Sequence, residues 1–370
     1  MRVLLVHPRL SIRGGAEQVA IHSIRTALNQ GHEVYLLTEK FDVEAFEDFF
    51  GCQGLFRDVE TLAYPTFHPI IPKRFLMYQR MIYYQAQHRR ILSANQELDL
   101  GLVLSTQDVG YVPSTKAPIV HYCYFPEFFH LQFDPSFKPW RLYYWPASLF
   151  YRQKVGQIGK LLSVSEYTKR YVRQLWSRDS TILYPPCPVD EYSLSNSFKE
   201  NVVITIGRLV PEKRHHIFLE IARRLPGLNF TIIGSVAEGK ESYYERLVGN
   251  APKNARILLS PLMGLKSILE RAKVYVHCAE NEHFGIAIVE AMASGCVPVV
   301  HDSGGPREIV TDQVGYRWKN LSEAVDKIAR LVSDEMLRRE MSAAASARAQ
   351  LYSSAAFESG LAKILVDYER

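Results

Sequence analysis

Strand-sized apolar runs alternate with helically spaced ones along most of the chain. Glycine pairs follow two of those strands, and a proline-rich break falls at Tyr184–Pro188. These observations predict an α/β protein of two Rossmann-like, doubly wound domains. The expected boundaries are residues 1–184 for the first domain, 185–201 for a linker, 202–350 for the second domain and 351–370 for a last helix. A length of 370 residues with 47% hydrophobic content is enough for two cores.

In the first domain, Arg2–His7 reads as a strand and Ala16–Asn29 as a helix that Gly31 ends. The loop between them carries adjacent Gly14 and Gly15. Such a pair lets the backbone approach a phosphate or sugar closely, and an ordinary tight turn explains it as well. G-x-G-x-x-G is missing, so the dinucleotide fingerprint fails. His32–Thr38, Leu98–Ser105, Ala117–Tyr122, Leu161–Ser165 and Thr181–Tyr184 read as further strands, and Glu166–Trp176 as a helix. Residues 41–97 show no clear period, and Tyr64 to Arg90 are dense in aromatics and bases. A similar stretch covers Phe137–Trp145 and Phe150–Lys154. The simpler reading buries these rings in the core and leaves the bases on its solvated edge. The alternative is a seat on an anionic lipid surface through Lys138, Arg141, Arg152 and Lys154.

The second domain alternates cleanly. Strands are expected at Val202–Ile206, Phe230–Ile233, Ala255–Leu259, Val274–Cys278, Val297–His301 and Tyr316–Trp318, with helices between and an Ala-rich helical end from residue 335.

Composition bounds the function. The net charge of +5 is too mild to argue for nucleic acid, and it favours anionic ligands over cationic ones. Five scattered cysteines without a CxxC fit a reducing compartment rather than a disulfide scaffold or zinc site. The apolar start is too short for a signal segment, and no run approaches a membrane span. A cytoplasmic protein is expected, soluble or peripheral on the inner face of the membrane.

Chemistry concentrates after strands of the second domain. Glu282-His283-Phe284-Gly285-Ile286 leaves a strand and opens a helix, and Glu290 follows two turns on. The N–H groups near Phe284, Gly285 and Ile286 would face an anion such as a diphosphate, while the two carboxylates could accept from sugar and ribose hydroxyls. The plain alternative is one Glu favouring the helix start and the other solvated. Upstream, Gly207-Arg208 and Glu212-Lys213 place a fork and a point charge that could clamp a diphosphate, with Lys213 in the first turn of a helix; a salt bridge to Glu212 or Glu220 is the plain reading. Gly304 and Gly305 begin another helix. Asp-x-Asp, His-Glu-x-x-His and Cys/His clusters are missing, so no metal is expected.

Glu-x-Phe-Gly-Ile-x-x-x-Glu from Glu282 to Glu290, with Ala291-Met292-Ala293-Ser294-Gly295 after it, resembles the signature of retaining GT-B glycosyltransferases of family 4. The run Asn281–Val310 and Tyr184-Pro185-Pro186-Cys187 are similar to the mannosyltransferases that extend lipid-linked oligosaccharides. The resemblance implies that the two domains face a central cleft. It also implies metal-independent transfer of a hexose, with mannose from GDP-mannose the first choice, to a glycan or polyprenol-linked acceptor, without a further cofactor. It implies Arg208, Lys213 and Glu282 as catalytic residues. Gly14, Gly15, Phe284, Gly285, Ile286, Glu290, Gly304 and Gly305 would contact the donor, and the last helix would cross back to the first domain. Tyr124 stands where related enzymes carry a sugar-facing His and could offer its hydroxyl to the sugar; His121, three residues before it, is a second candidate sugar contact or simply a core histidine. A nucleotide-sugar epimerase or hydrolase on this fold, and a sugar-nucleotide binder without catalysis, are the rival readings.

Overall fold

The structure is a computed structural model describing residues 1–12, 14–72, 74–126, 138–192, 199–259 and 264–369, with residues 138–141 as backbone only. Arg13, Lys138, Arg141 and Ser193–Phe198 of the expected linker therefore lie wholly or in their side chains outside it. The chain divides into two compact units, one of residues 1–186 with 355–370 and one of residues 187–354.

The first unit is a parallel sheet of seven strands in the order β3-β2-β1-β4-β5-β6-β7. These are Arg2–Val6, Glu33–Glu39, Val59–Tyr64, Leu102–Ser105, Ile119–Cys123, Lys160–Ser163 and Thr181–Ile182, numbered in chain order. The five inner strands are buried on both faces, as helix-covered parallel strands must be, with Leu4, Leu36, Val103 and Val120 wholly enclosed, while the edge strands β3 and β7 are partly exposed. Among the described residues, five helices belong to this part of the chain: α1 (Gly15–Asn29), α2 (Val43–Phe50), α3 (Leu76–Ala94), α4 (Lys138–Gln157) and α5 (Glu166–Trp176).

The stretch without a clear period holds α2, β3 and α3. Asp42 caps α2 by accepting the Ala45 N–H at 3.0 Å, and Gly51 closes it at φ 62°. On α3, Met81, Tyr84 and His88 are the buried residues, spaced three and four apart. Tyr84 donates to Glu39 Oε1 at 2.7 Å, and His88 Nε2 lies 3.1 Å from the Tyr64 hydroxyl. Rings and bases on every side of α3 hide that stripe in the sequence. The core reading of the aromatics is therefore right for Tyr64, Tyr84, Tyr122 and Tyr151, and wrong for Trp145, which is exposed. Lys154 is no solvated base: it is buried, bonded to Ser114 Oγ at 3.1 Å, and burial pulls its pKa down to about 8.

The second unit is a parallel six-stranded sheet in the order β10-β9-β8-β11-β12-β13. In chain order its strands are β8 (Glu200–Ile206), β9 (Asn229–Gly234), β10 (Ala255–Leu259), β11 (Ala272–His277), β12 (Val297–His301) and β13 (Tyr316–Trp318). Helices α6 (His215–Arg224), α7 (Glu241–Gly249), α8 (Leu265–Arg271), α9 (Ile286–Ala293), α10 (Pro306–Ile309), α11 (Leu321–Ser333) and α12 (Glu335–Ala349) accompany them. The closing α13 (Ser354–Val366) packs on the first unit: Phe357 meets the Tyr122 ring at 6.0 Å, and Glu358 meets His22 Nδ1 at 2.7 Å. In each sheet the strand order reverses beside its first strand, between β1 and β4 and between β8 and β11. Open α/β sheets bind ligands outside the carboxyl ends of strands at such switch points.

One close approach fixes the exit from β8. The Gly207 N–H donates to Ile233 O at 3.0 Å, and a Cβ on Gly234 would fall 1.9 Å from Gly207 O. Gly234→Ala must push the two strand ends apart, an overpacking worth about 1–3 kcal/mol. Chemical denaturation should show that loss, while an Ala at the exposed Gly249, where a Cβ meets nothing within 4 Å, should stay within about 1 kcal/mol of wild type.

Candidate functional site

The second unit's switch point gathers most of the expected residues. After β8 the chain runs through Gly207 and an exposed Arg208, then makes a short 3₁₀ turn, Pro211–Lys213. Arg214 at φ 54° breaks that turn from α6. Lys213 is thus not in the first turn of the α-helix, because a left-handed residue intervenes. The turn aims Lys213 back across the sheet ends, where its ammonium pairs with the Glu282 carboxylate. Glu220, the plain alternative, pairs instead with Arg223 at 2.8 Å.

Glu282 lies in the loop between β11 and α9. His277, at the end of β11, brings Nε2 to 3.5 Å from the same carboxylate oxygen. Burial alone would raise the Glu282 pKa, but His277 and the Lys213 charge outweigh it and hold the group well below the usual carboxylate range. Two residues earlier, Glu280 pairs with Arg214 and stands 3.4 Å from His301 Nε2. Neither His277, Arg214 nor Glu280 was singled out from sequence. His277 was legible in principle, as the polar end of an apolar strand just before the loop.

The loop backbone is held as firmly. Asn281 sits at φ 54° and donates its N–H to Ser303 Oγ at 2.8 Å; Gly305 donates to Glu282 O at 2.8 Å. A Cβ on Gly304 would fall 2.3 Å from Glu282 O, and one on Gly305 2.5 Å from His283 O. Those two glycines are therefore explained by backbone packing under the Glu282 loop. The Phe284 ring is buried against Tyr352 at 5.4 Å, so its side chain is core and only its main chain remains a candidate.

Gly285, at φ 111°, opens α9 in a conformation that disfavours any side chain. Helix geometry leaves the Ile286 and Ala287 N–H groups without intrahelical acceptors. At the far end the Cys296 N–H reaches Ala291 O at 2.9 Å and the Gly295 N–H reaches Met292 O at 3.0 Å, with Gly295 at φ 77°. Gly295 thus closes the helix in the left-handed conformation. Glu290, two turns in, is half-buried rather than on the outer face: burial first, and then the charge of Glu191, push its carboxyl up to about 7. Glu191 ends the 3₁₀ turn Val189–Glu191, inside what reads in sequence as a linker.

In the first unit, the Gly14 N–H donates to Glu17 Oε2 at 2.6 Å at the start of α1. Glu17 is fully buried, and its other oxygen lies 3.6 Å from His7 Nε2, while His7 Nδ1 sits 2.8 Å from Thr106 Oγ1. His7 and Thr106 follow β1 and β4, so this cluster occupies that sheet's switch point. The Tyr124 hydroxyl reaches Ala16 O at 3.4 Å, beside the Gly14–Gly15 loop. His121 does not join it. It is buried, 3.2 Å from Ser105 Oγ, and burial drops its pKa to about 3, so it is a neutral core histidine rather than a sugar contact. Among the described residues, no three His, Cys, Asp or Glu side chains converge as a metal site.

Two family models match, in sequence, end to end. Residues 13–191 match Glycosyltransferase Family 4, and residues 191–348 match Glycosyl transferases group 1. A protein of Caenorhabditis elegans named GDP-Man:Man(3)GlcNAc(2)-PP-Dol alpha-1,2-mannosyltransferase is 30% identical over 225 residues, covering 53% of this chain and 46% of its own. The human protein of the same name is 26% identical over 60% of this chain and 49% of its own. The chain thus spans about half the length of the curated relatives it matches. Among solved structures, HepE of Anabaena in complex with UDP aligns with TM-score 0.75 at 17% identity, covering 99% of this chain and 100% of that one. Sucrose-phosphate synthase of Thermosynechococcus elongatus aligns with TM-score 0.79 at 13% identity, covering 99% and 98%. With its two parallel sheets, the loop and helix from Glu282 to Glu290, and both halves matched, the chain belongs to the family 4 glycosyltransferases of the GT-B fold.

Proposed function

We propose that this protein transfers a hexose, mannose from GDP-mannose, to a lipid-linked glycan with retention at the anomeric carbon. The observation that carries the reading is the Lys213–Glu282 pair at the second switch point, in front of the open N–H groups of α9. The names of the Caenorhabditis and human relatives support the donor and the acceptor class. An acceptor of that class places the reaction at a membrane surface. Among the described residues no helix is long and apolar enough to cross one.

The residues divide the donor as follows. Lys213, with the exposed Arg208, takes the diphosphate and stabilises the charge that develops as the sugar departs. The N–H groups at the start of α9 face the same phosphates. Glu282, kept ionised by Lys213 and His277, accepts from sugar hydroxyls. Glu290 accepts from the ribose. The acceptor hydroxyl attacks on the leaving-group face: its oxygen bonds the anomeric carbon, the carbon–phosphate oxygen bond breaks, and the leaving phosphate oxygen takes the proton.

Three outcomes test these assignments. Arg208→Ala or Lys213→Ala should lower turnover by about 10²-fold or more, and near-normal rates in both would remove the clamp.

Glu282→Gln should damage transfer far more than calorimetric affinity for free GDP, whereas Glu290→Gln should weaken both, by roughly 1.5–3 kcal/mol in binding. The reverse pattern would mean that the donor lies the other way along α9. Release of GDP without sugar transfer by the wild type would favour a hydrolase.

Glu290 also marks the pH dependence of stability. Its pKa is raised from 4.5 to about 7, so between those values the folded protein binds the extra proton. Stability therefore falls as pH rises through that window, by up to about 3 kcal/mol from this group. Urea midpoints taken from about pH 5 to about pH 8 should decline in the wild type and flatten in Glu290→Gln. Equal slopes would show that Glu290 titrates normally.

A further inference from the structure

The sequence contains two stretches without a single acid. Residues 61–96 and 135–165 hold ten Lys and Arg and no Asp or Glu, so the chain's whole excess of 44 bases over 39 acids comes from them. In the structure the described parts of these stretches hold α3 and α4, both in the first unit. They also hold the most exposed apolar side chains of that unit. Ile70 is 91% exposed, Leu142 80%, Ile82 66% and Trp145 60%, with Phe75 and Leu149 also open.

The two helices present these groups side by side. The Phe75 ring lies 5.8 Å from that of Tyr143, and Tyr78 lies 5.2 Å from Tyr143 and donates to its carbonyl. Further along, Ile82, Arg89 and Phe150 line one groove of about 910 Å³. Arg74, Arg89, Arg90 and Arg152 are exposed, and none makes an ion pair among the described residues. Lys154 is not part of the surface, since its ammonium is buried on Ser114.

We propose that the α3–α4 face docks this protein on an anionic lipid bilayer, with Ile82, Leu142 and Trp145 entering the headgroup boundary and Arg74, Arg89, Arg90 and Arg152 meeting the lipid phosphates. An apolar patch of this kind marks an interaction site, and its occupant must be apolar and uniformly anionic together. A bilayer with acidic headgroups is both. A second copy of the chain would set base against base, and a protein partner would have to present acids over two whole helices. The proposal rests on the sugar-transfer reading only in expecting the acceptor to supply such a membrane; the surface stands on its own residues.

The test is sedimentation of the full chain with sucrose-loaded vesicles of phosphatidylcholine, with and without phosphatidylglycerol. Binding should require phosphatidylglycerol and fall as salt is raised. Each Arg→Gln change among the four should weaken it about fivefold. Ile82→Ser with Leu142→Ser and Trp145→Ser should weaken binding at least tenfold at any salt, while melting temperature and GDP affinity in solution stay as in wild type. Binding equal on both vesicles, or unchanged in both variants, overturns the proposal. So does concentration-dependent dimerisation in solution that the three Ser substitutions abolish, since the face would then meet a second copy. Loss of vesicle binding with GDP affinity intact leaves the donor-site reading standing. Loss of GDP affinity by the wild type itself would strike that reading and not this one.

Discussion

The ion pair between Lys213 and Glu282 is the constraint around which the second unit is arranged. It joins the segment after β8 to the segment after β11, and those strands are neighbours only because the strand order reverses there. Both side chains are partly buried, so its value falls between the roughly 1 kcal/mol of an exposed pair and the roughly 3–5 kcal/mol lost when a buried pair is broken. More important is what it orients. The Glu282 loop is also tied to the end of β12 through Ser303 and Gly305, and to Arg214 through Glu280. Three consecutive strands of the sheet thus hold one carboxylate in place before any ligand arrives. Such a preorganised group does not have to be ordered at the moment of binding. A diphosphate that draws on Lys213 loosens one of these ties while the backbone bonds keep the loop where it is.

The fold of the second unit was legible because every strand is a compact apolar run bounded by polar residues or glycine. Ala255–Leu259, Val297–His301 and Tyr316–Trp318 are found at the expected positions. The first unit was less so. Its strands at both edges of the unread stretch were visible, but α2, β3, α3 and α4 were not, for an identifiable reason. Period is read from contrast between apolar and polar positions, and α3 and α4 carry large apolar side chains on exposed positions as well as buried ones. A helix that faces a core on one side and something apolar on the other loses the stripe that would reveal it. The same residues that obscured the helices are those that mark the surface.

The site was legible in its residue types more than in its contacts. Glu282, Lys213 and the start of α9 come together as the motif implied, because strand–loop–helix units deliver them to one sheet edge. Gly304 and Gly305 are needed by the neighbouring Glu282–His283 backbone, which the sequence could not show, since that approach spans more than twenty residues and a strand–helix unit. At His121 the sequence left a sugar contact and a core place both open, and the hydrogen bond to Ser105 decides for the core.

The two glutamates show how far spacing underdetermines chemistry. They stand eight residues apart, on one loop and helix, and look equivalent as acids. Their surroundings separate them in opposite directions. Glu282 faces an ammonium and an imidazole, which hold its pKa low; at Glu290 burial, and after it the charge of Glu191, push the carboxyl up to about 7. An ionised carboxylate only accepts hydrogen bonds, whereas a protonated one also donates. A ribose diol, with two donors and two acceptors, can be met by either form. A sugar hydroxyl beside a departing phosphate is better met by a fixed acceptor whose negative charge Lys213 already balances. The partner that makes the difference at Glu290 comes from a turn just after Pro188, a segment that reads as a connector. It lies within the second unit, and so the chain's apparent linker supplies part of the electrostatics of its site.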